Sequence, residues 1–182
     1  YCCYLLTYFP FWYCISTINM IFSIIYFIFG IIIGSFLNVI IYRLPNSLSI
    51  ILPRSHCTKC KKVIPIYLNI PILSYLLLFG KCHNCKKNIS IQYPIVEFSS
   101  GMIFLYSFNN LQAPESLFFC IISCLLICIA MIDFNHYIIS LFLSLVFLLL
   151  LIPYIIISNN YIYHIYGMMV GFSYLSFIFI LT

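Results

Sequence analysis

Four cysteines stand in two pairs, Cys57-x-x-Cys60 and Cys82-x-x-Cys85, with 21 residues between the pairs. Two such knuckles at this distance match the spacing of a structural zinc site, in which four thiolates close a tetrahedron around one ion. Disulfides or free thiols are the alternative, and a reducing compartment disfavours the former. Four thiolates around Zn²⁺ leave a net charge of −2. Lys59, Lys61, Lys62, Lys81, Lys86 and Lys87 crowd the knuckles and offset it. His56 and His83 adjoin the pairs as substitute ligands. A second group with chemical potential is Asp133, the sole aspartate, at the end of an apolar run. A carboxylate at a membrane edge either caps and snorkels to water or performs chemistry. Cys120, Cys124 and Cys128 recur every four residues, which places them on one helix face. In an apolar helix such a stripe reads as small-residue packing, with a buried metal stripe as the rarer alternative.

The elements that must position these groups are membrane helices. Of 182 residues, 65% are hydrophobic and 6% charged, and the mean hydropathy is +1.16. So few charges cannot cover a water-facing surface, so a soluble domain, a disordered chain and a nucleic-acid-binding domain are all disfavoured. The fold class expected is an all-α integral membrane protein, a multi-span bundle with a small extramembrane module. Spans are expected at 20–42, 94–111, 116–132, 138–157 and 161–182, the last still apolar where the sequence stops, as in a chain cut within a helix. Residues 1–19 form an apolar stretch around Pro10, either a poor span or non-native sequence ahead of a start at Met20; no basic segment precedes it to make a signal peptide. All eight basic residues fall within 43–93, a Pro-rich stretch that reads as a cytoplasmic loop because Lys and Arg are retained on that side. The first span then runs inward, and the third delivers Asp133 to the cytoplasmic face. Gly30 and Gly34, and again Gly167 and Gly171, make GxxxG spacings, which either pack helices closely or arise by chance. Ser35 and Asn38 share a face that needs partners inside a bundle. Ile70–Phe79 is too short to span and reads as an interfacial turn or a local core.

A series of motifs carries a resemblance. Gly34-Ser35-Phe36-Leu37-Asn38-Val39 leads to Tyr42-Arg43-Leu44-Pro45, then Arg54-Ser55-His56-Cys57-Thr58-Lys59-Cys60 and Asn69-Ile70-Pro71-Ile72-Leu73-Ser74-Tyr75. Gly80-Lys81-Cys82-His83-Asn84-Cys85, Ile89-Ser90, Tyr93-Pro94-Ile95-Val96-Glu97 and Ala130-Met131-Ile132-Asp133 follow in order. From about Met20 to Asp133 the chain resembles the type IV prepilin leader peptidases, with order and spacing more specific than any single motif. That resemblance implies a bacterial inner-membrane aspartic endopeptidase with a cytoplasmic zinc-binding loop. It implies cleavage of the basic leader of type IV prepilins and pseudopilins, and in many members N-methylation of the new terminus from S-adenosylmethionine. It implies Asp133 as one of two catalytic aspartates, structural Zn²⁺ on Cys57, Cys60, Cys82 and Cys85, and helices of the peptidase domain over 94–182.

The chain departs from the family in three places. Ile138-Ile139-Ser140 stands where Ile-Pro is common after the aspartate, and Leu68 stands where Asp is usual. The second catalytic motif, GxGD, is absent, although Tyr166-Gly167-Met168-Met169-Val170-Gly171 resembles the helix that precedes it. Glu97 falls in a Tyr-Pro-x-Val-Glu motif and reads as structural or as a partner for a loop cation. No glycine-rich nucleotide fingerprint is present, so a methyltransferase activity rests on resemblance. The competing function is a catalytically dead scaffold that binds pilin-like helices. A transporter is disfavoured because the spans hold almost no ion ligands. Partners implied are prepilin helices and membrane lipid, not nucleic acid.

Overall fold

A computed structural model describes residues 11–181 except 53, 58, 66, 67, 69, 139, 159 and 160; the side chains of 11–15, 161, 172 and 174–181 also lie outside the described set. Residues 1–10, with Pro10, and Thr58, Asn69 and Ile139 of the motifs above therefore fall outside the described residues. Six helices follow in order: α1 (Phe11–Arg43), α2 (Leu73–Leu77), α3 (Gln92–Asn110), α4 (Glu115–His136), α5 (Leu141–Ser158) and α6 (Tyr161–Leu181). Among the described residues no strand forms, and two isolated β-bridges lie in the largely irregular loop between α1 and α3. At 33 residues α1 is about 50 Å long, longer than a hydrocarbon core of about 30 Å. It continues without a break through Met20.

Among the described residues, three helices are long and apolar enough to cross a membrane: Ser16–Arg43 of α1, α4 and α5; much of the expected span at 161–182 lies outside the described side chains. The expected span at 94–111 is not among them. Its helix, α3, carries Glu97, Ser100 and Ser107, and these are buried with Val96 and Gly101. The reason is its partner. α3 lies antiparallel against α1, so its polar face is covered by protein. The seam is read directly from the contacts: Tyr26 and Phe108 rings 4.6 Å apart, Phe29 and Phe104 rings 5.6 Å apart, and Asn38 Nδ2 donating to the Tyr93 carbonyl at 3.1 Å.

Gly30 and Gly34 make that approach. A Cβ at Gly30 would lie 2.8 Å from Phe104 Cβ and 2.9 Å from Gly101 Cα; one at Gly34 would lie 2.7 Å from Glu97 Cα and collide with Ser100 Oγ. The first GxxxG therefore packs α1 on α3 within one chain. The second does not: a Cβ at Gly167 or Gly171 meets nothing within 4 Å.

α4 completes the bundle, antiparallel to α3. Ser107 Oγ donates to the Ser116 carbonyl at 3.0 Å near one end, and Asn135 Nδ2 donates to Gln92 Oε1 at 3.0 Å at the other. The core lies between α1, α3, α4 and α5 and contains Leu37, Ile41, Val96, Cys124, Cys128, Ile132 and Leu143. Cys120, Cys124 and Cys128 are all buried, which agrees with the packing reading. The C-terminal end of α1, the loop, the start of α3 and the end of α4 thus share one face of the bundle.

Candidate metal centre and adjoining cavity

The loop folds its two cysteine pairs in the same way. In the first, Cys57 N–H donates to the Lys62 carbonyl (3.0 Å), Lys61 N–H to the Cys57 carbonyl (2.8 Å) and Ile64 N–H to the Ser55 carbonyl (2.9 Å). In the second, Cys82 N–H donates to the Lys87 carbonyl (2.9 Å), Lys86 N–H to the Cys82 carbonyl (3.0 Å) and Ile89 N–H to the Gly80 carbonyl (2.7 Å). Lys61 and Lys86, each directly after a second cysteine, have φ of 57° and 56°. Bridges pair His56 with Val63 and Lys81 with Asn88. The two knuckles are one motif repeated 25 positions apart, and the sequence carries it as Cys-x-x-Cys-Lys-Lys-x-Ile at both Cys57 and Cys82. Spacing of the cysteines alone does not reveal this repeat; aligning the chain with itself would have.

These turns aim four thiols at one point. The sulfurs of Cys57, Cys60, Cys82 and Cys85 all lie within 4.8 Å of one another, and all four thiols are free. Cys57 Sγ and Cys85 Sγ are 3.9 Å apart. Sulfurs about 2.3 Å from a tetrahedral ion stand about 3.8 Å from each other, so the cluster has the dimensions to hold a metal. His56 is not part of it; its Nδ1 contacts the Arg54 carbonyl at 3.1 Å. The backbone N–H groups of Cys85 and Asn84 lower Cys82 to about 6. At Cys85 the Lys87 N–H acts in the same direction, but burial and the thiols of Cys82, Cys60 and Cys57 outweigh it and push the group up to about 11. The cluster therefore takes a thiolate readily at Cys82 and resists one at Cys85, which is the electrostatic demand a divalent cation answers. Lys62 Nζ reaches Asn84 Oδ1 at 3.3 Å and ties the knuckles together. Gly80, with φ of 66°, turns the chain into the second knuckle; a Cβ there would lie 2.9 Å from Tyr75 Oη.

Glu97 seats the loop on the bundle. It is 6% exposed, and its Oε2 accepts the Ile72 N–H at 2.7 Å. Ile72 has φ of 57°, a conformation a β-branched residue adopts only when held. Of the two readings of Glu97, the structural one fits this bond. Arg43, also buried, folds back from the end of α1 to donate to the carbonyls of Ser49 (2.8 Å) and Ile50 (3.0 Å).

Between loop and bundle lies a cavity of about 1030 Å³. Its walls include Tyr42, Tyr75, Tyr93, Lys62, Lys87 and Asn38, and the end of α4 reaches it through Asn135 and His136. Asn38 is 4% exposed, and its Oδ1 is buried without a hydrogen-bond partner among the described residues. Leu68, at the family's usual Asp position, also lines the cavity.

Asp133 is exposed in the last turn of α4, at this same face, and its carbonyl accepts the Tyr137 N–H at 2.8 Å. It is not in the cavity wall. No second carboxylate pairs with it among the described residues: Glu115 starts α4 at the opposite end, and Glu97 is engaged with Ile72.

A helical membrane protein that carries a four-cysteine, metal-competent loop at one face is the class these features define. Residues 28–111 match the model of the bacterial peptidase A24 N-terminal domain. The chain is 38% identical over 122 residues to a prepilin leader peptidase/N-methyltransferase of Myxococcus xanthus, covering 66% of this chain and 36% of that protein. It is 41% identical over 128 residues to a type 4 prepilin-like proteins leader peptide-processing enzyme of Escherichia coli, covering 59% and 47% respectively. A prepilin leader peptidase/N-methyltransferase of Vibrio cholerae is 45% identical over 91 residues, covering 46% and 36%. Over residues 28–111 the chain is thus similar to the N-terminal part of the prepilin leader peptidases. It spans between about a third and a half of the length of these curated relatives. No solved structure matches it.

Proposed function

We propose that the whole protein to which this chain belongs is an inner-membrane aspartic endopeptidase that removes the leader of type IV prepilins and pseudopilins, and that it N-methylates the new terminus. The observation that carries this reading is the gathering of the four-cysteine cluster, the cavity and Asp133 at one face of the bundle. Residues 43–93 form a cytoplasmic zinc-binding loop, and 94–182 contribute helices of the peptidase domain. Cys57, Cys60, Cys82 and Cys85 hold Zn²⁺, whose role is structural because four thiolates leave no open position.

Asp133 is one of the two carboxylates an aspartic peptidase requires. One, ionised, takes a proton from the attacking water as its oxygen adds to the scissile carbonyl. The other, protonated, polarises that carbonyl; the C–N bond then breaks and the leaving amine takes up a proton. A chain with one aspartate holds half of this pair.

S-adenosylmethionine supplies the methyl group when bound, and the cavity suits it. Lys62 and Lys87 offer cations for its carboxylate, Tyr75 and Tyr93 offer rings for its purine, and the orphaned Oδ1 of Asn38 offers an acceptor for an amino group. The relatives' names favour this reading over a non-catalytic scaffold. The test is to incubate the whole protein in lipid vesicles with a prepilin and S-adenosylmethionine, and to read the product by mass. Leader loss together with a gain of about 14 Da on the new terminus, the net of a CH₃ group replacing one hydrogen, is the expected result. An intact prepilin that co-purifies with a zinc-loaded protein would instead support the scaffold.

A further inference from the structure

The geometry points to a second way in which the loop meets the membrane: α2 and Phe79 lie on the leaflet surface, and the lysines around them bind anionic phospholipid headgroups. The inference goes beyond the proposed reaction and does not depend on it.

The short helix α2 has two unlike sides. Ser74, Tyr75 and Leu78 line the cavity. Leu73, Leu76 and Leu77, at spacing i, i+3 and i+4, share the other side, and all three are exposed, Leu77 to 76%. None of the helix is buried. Phe79 directly follows and is 89% exposed. The apolar run at 70–79 is therefore not a local core. Outside the spanning helices, a purely apolar face of this kind needs a covering.

Charge selects what covers it. From Arg43 to Lys87 the loop carries eight cations and no carboxylate. Lys61, Lys81 and Lys86 are exposed and lie outside the cavity wall, and Lys81 follows Phe79 by two positions. Even when four thiolates take up part of this charge, the surface stays basic. Aliphatic and aromatic side chains flanked by lysines fit a leaflet whose headgroups carry phosphate and net negative charge. Position agrees, because the loop leaves α1 at Arg43 and rejoins α3 at Gln92, at one end of the same helix pair. It cannot stand far from the membrane plane that those helices enter.

The test uses the full chain in vesicles, with Phe79→Trp made in a Trp12→Phe background to give one fluorophore. Vesicles contain either phosphatidylcholine alone or phosphatidylcholine with phosphatidylglycerol, each with acyl chains brominated near the headgroup. The expected result is blue-shifted emission, quenched severalfold more strongly with phosphatidylglycerol, and a difference that shrinks at about 1 M salt, where screening acts within about 3 Å. A second variant, Leu77→Asp, is expected to lower the quenching while metal content stays unchanged. Water-like emission in both vesicles would overturn the insertion. Equal quenching in both, insensitive to salt, would overturn the headgroup selectivity. Blue-shifted emission without quenching would assign the face to protein, a second copy or another helix, and overturn the proposal.

Discussion

Two backbone N–H groups aimed at Cys82 lower its thiol to about 6, while burial and the neighbouring thiols push Cys85 up to about 11. Metal must displace the proton held on Cys85, so its affinity is expected to rise with pH. The depressed Cys82 group stabilises the folded loop in the metal-free protein above its ordinary value of 9.0, and that contribution is lost as the pH falls through about 6. A metal titration of the stripped protein between pH 5 and pH 8 checks the direction; affinity that is flat or falls with pH contradicts it. Replacing any one of the four cysteines by serine is expected to release the metal, because structural zinc contributes on the order of 10 kcal/mol to such small modules. Stoichiometric metal retained by the four-serine protein would remove these residues from the site. At Glu97, Ala leaves the Ile72 N–H without its partner, at a cost of about 1–3 kcal/mol, while Gln keeps an acceptor and is expected to lose less. Thermal unfolding of the two variants separates them. The gathering of the four cysteines was legible in the sequence because thiol pairs at this spacing have few other uses. The partner of Glu97 was not, because a backbone N–H some 25 positions upstream leaves no mark on side-chain patterns.

The pairing of α1 with α3 rests on close approach, so substitutions at its glycines are the sharpest probe of an element. Gly34→Leu has no room against Glu97 Cα and Ser100, and a loss of about 1–3 kcal/mol or more is expected from overpacking. Gly171→Leu, facing open space, is expected to change little. Stability in detergent checks both, and equal losses would contradict the seam. The two GxxxG spacings are indistinguishable as sequence; only the polar and small residues of α3 opposite the first decide which one packs. The same compensation explains why α3 fell short as an independent span. Hydropathy sums a helix all round, while Ser100 and Glu97 are covered on one side by α1. The helices themselves were legible from their long apolar runs, since nothing else in the chain alternates or breaks within them apart from Pro153, which α5 accommodates.

Across the whole molecule, every lysine sits in the loop that joins α1 to α3. An impermeant amine-reactive reagent is therefore expected to tag residues 59–87 only after cells are opened, if that loop is cytoplasmic. Tagging of intact cells would reverse the orientation and move Asp133 to the outer face with it, because the Asn135–Gln92 bond holds the end of α4 to the start of α3. The order of motifs along the chain made the resemblance legible, and the bundle explains that order by bringing distant segments to a single face. The cavity was not legible, since its walls come from α1, α2, the knuckles, α3 and α4 together. The central claim, that Asp133 is half of a catalytic pair at this face, is tested most directly by Asp133→Asn in the whole protein, with leader cleavage and bound zinc measured on the same preparation. Cleavage is expected to fall by at least about a hundredfold with zinc unchanged, because the amide keeps the shape but can neither take nor give the proton. Processing at the original rate would contradict the claim.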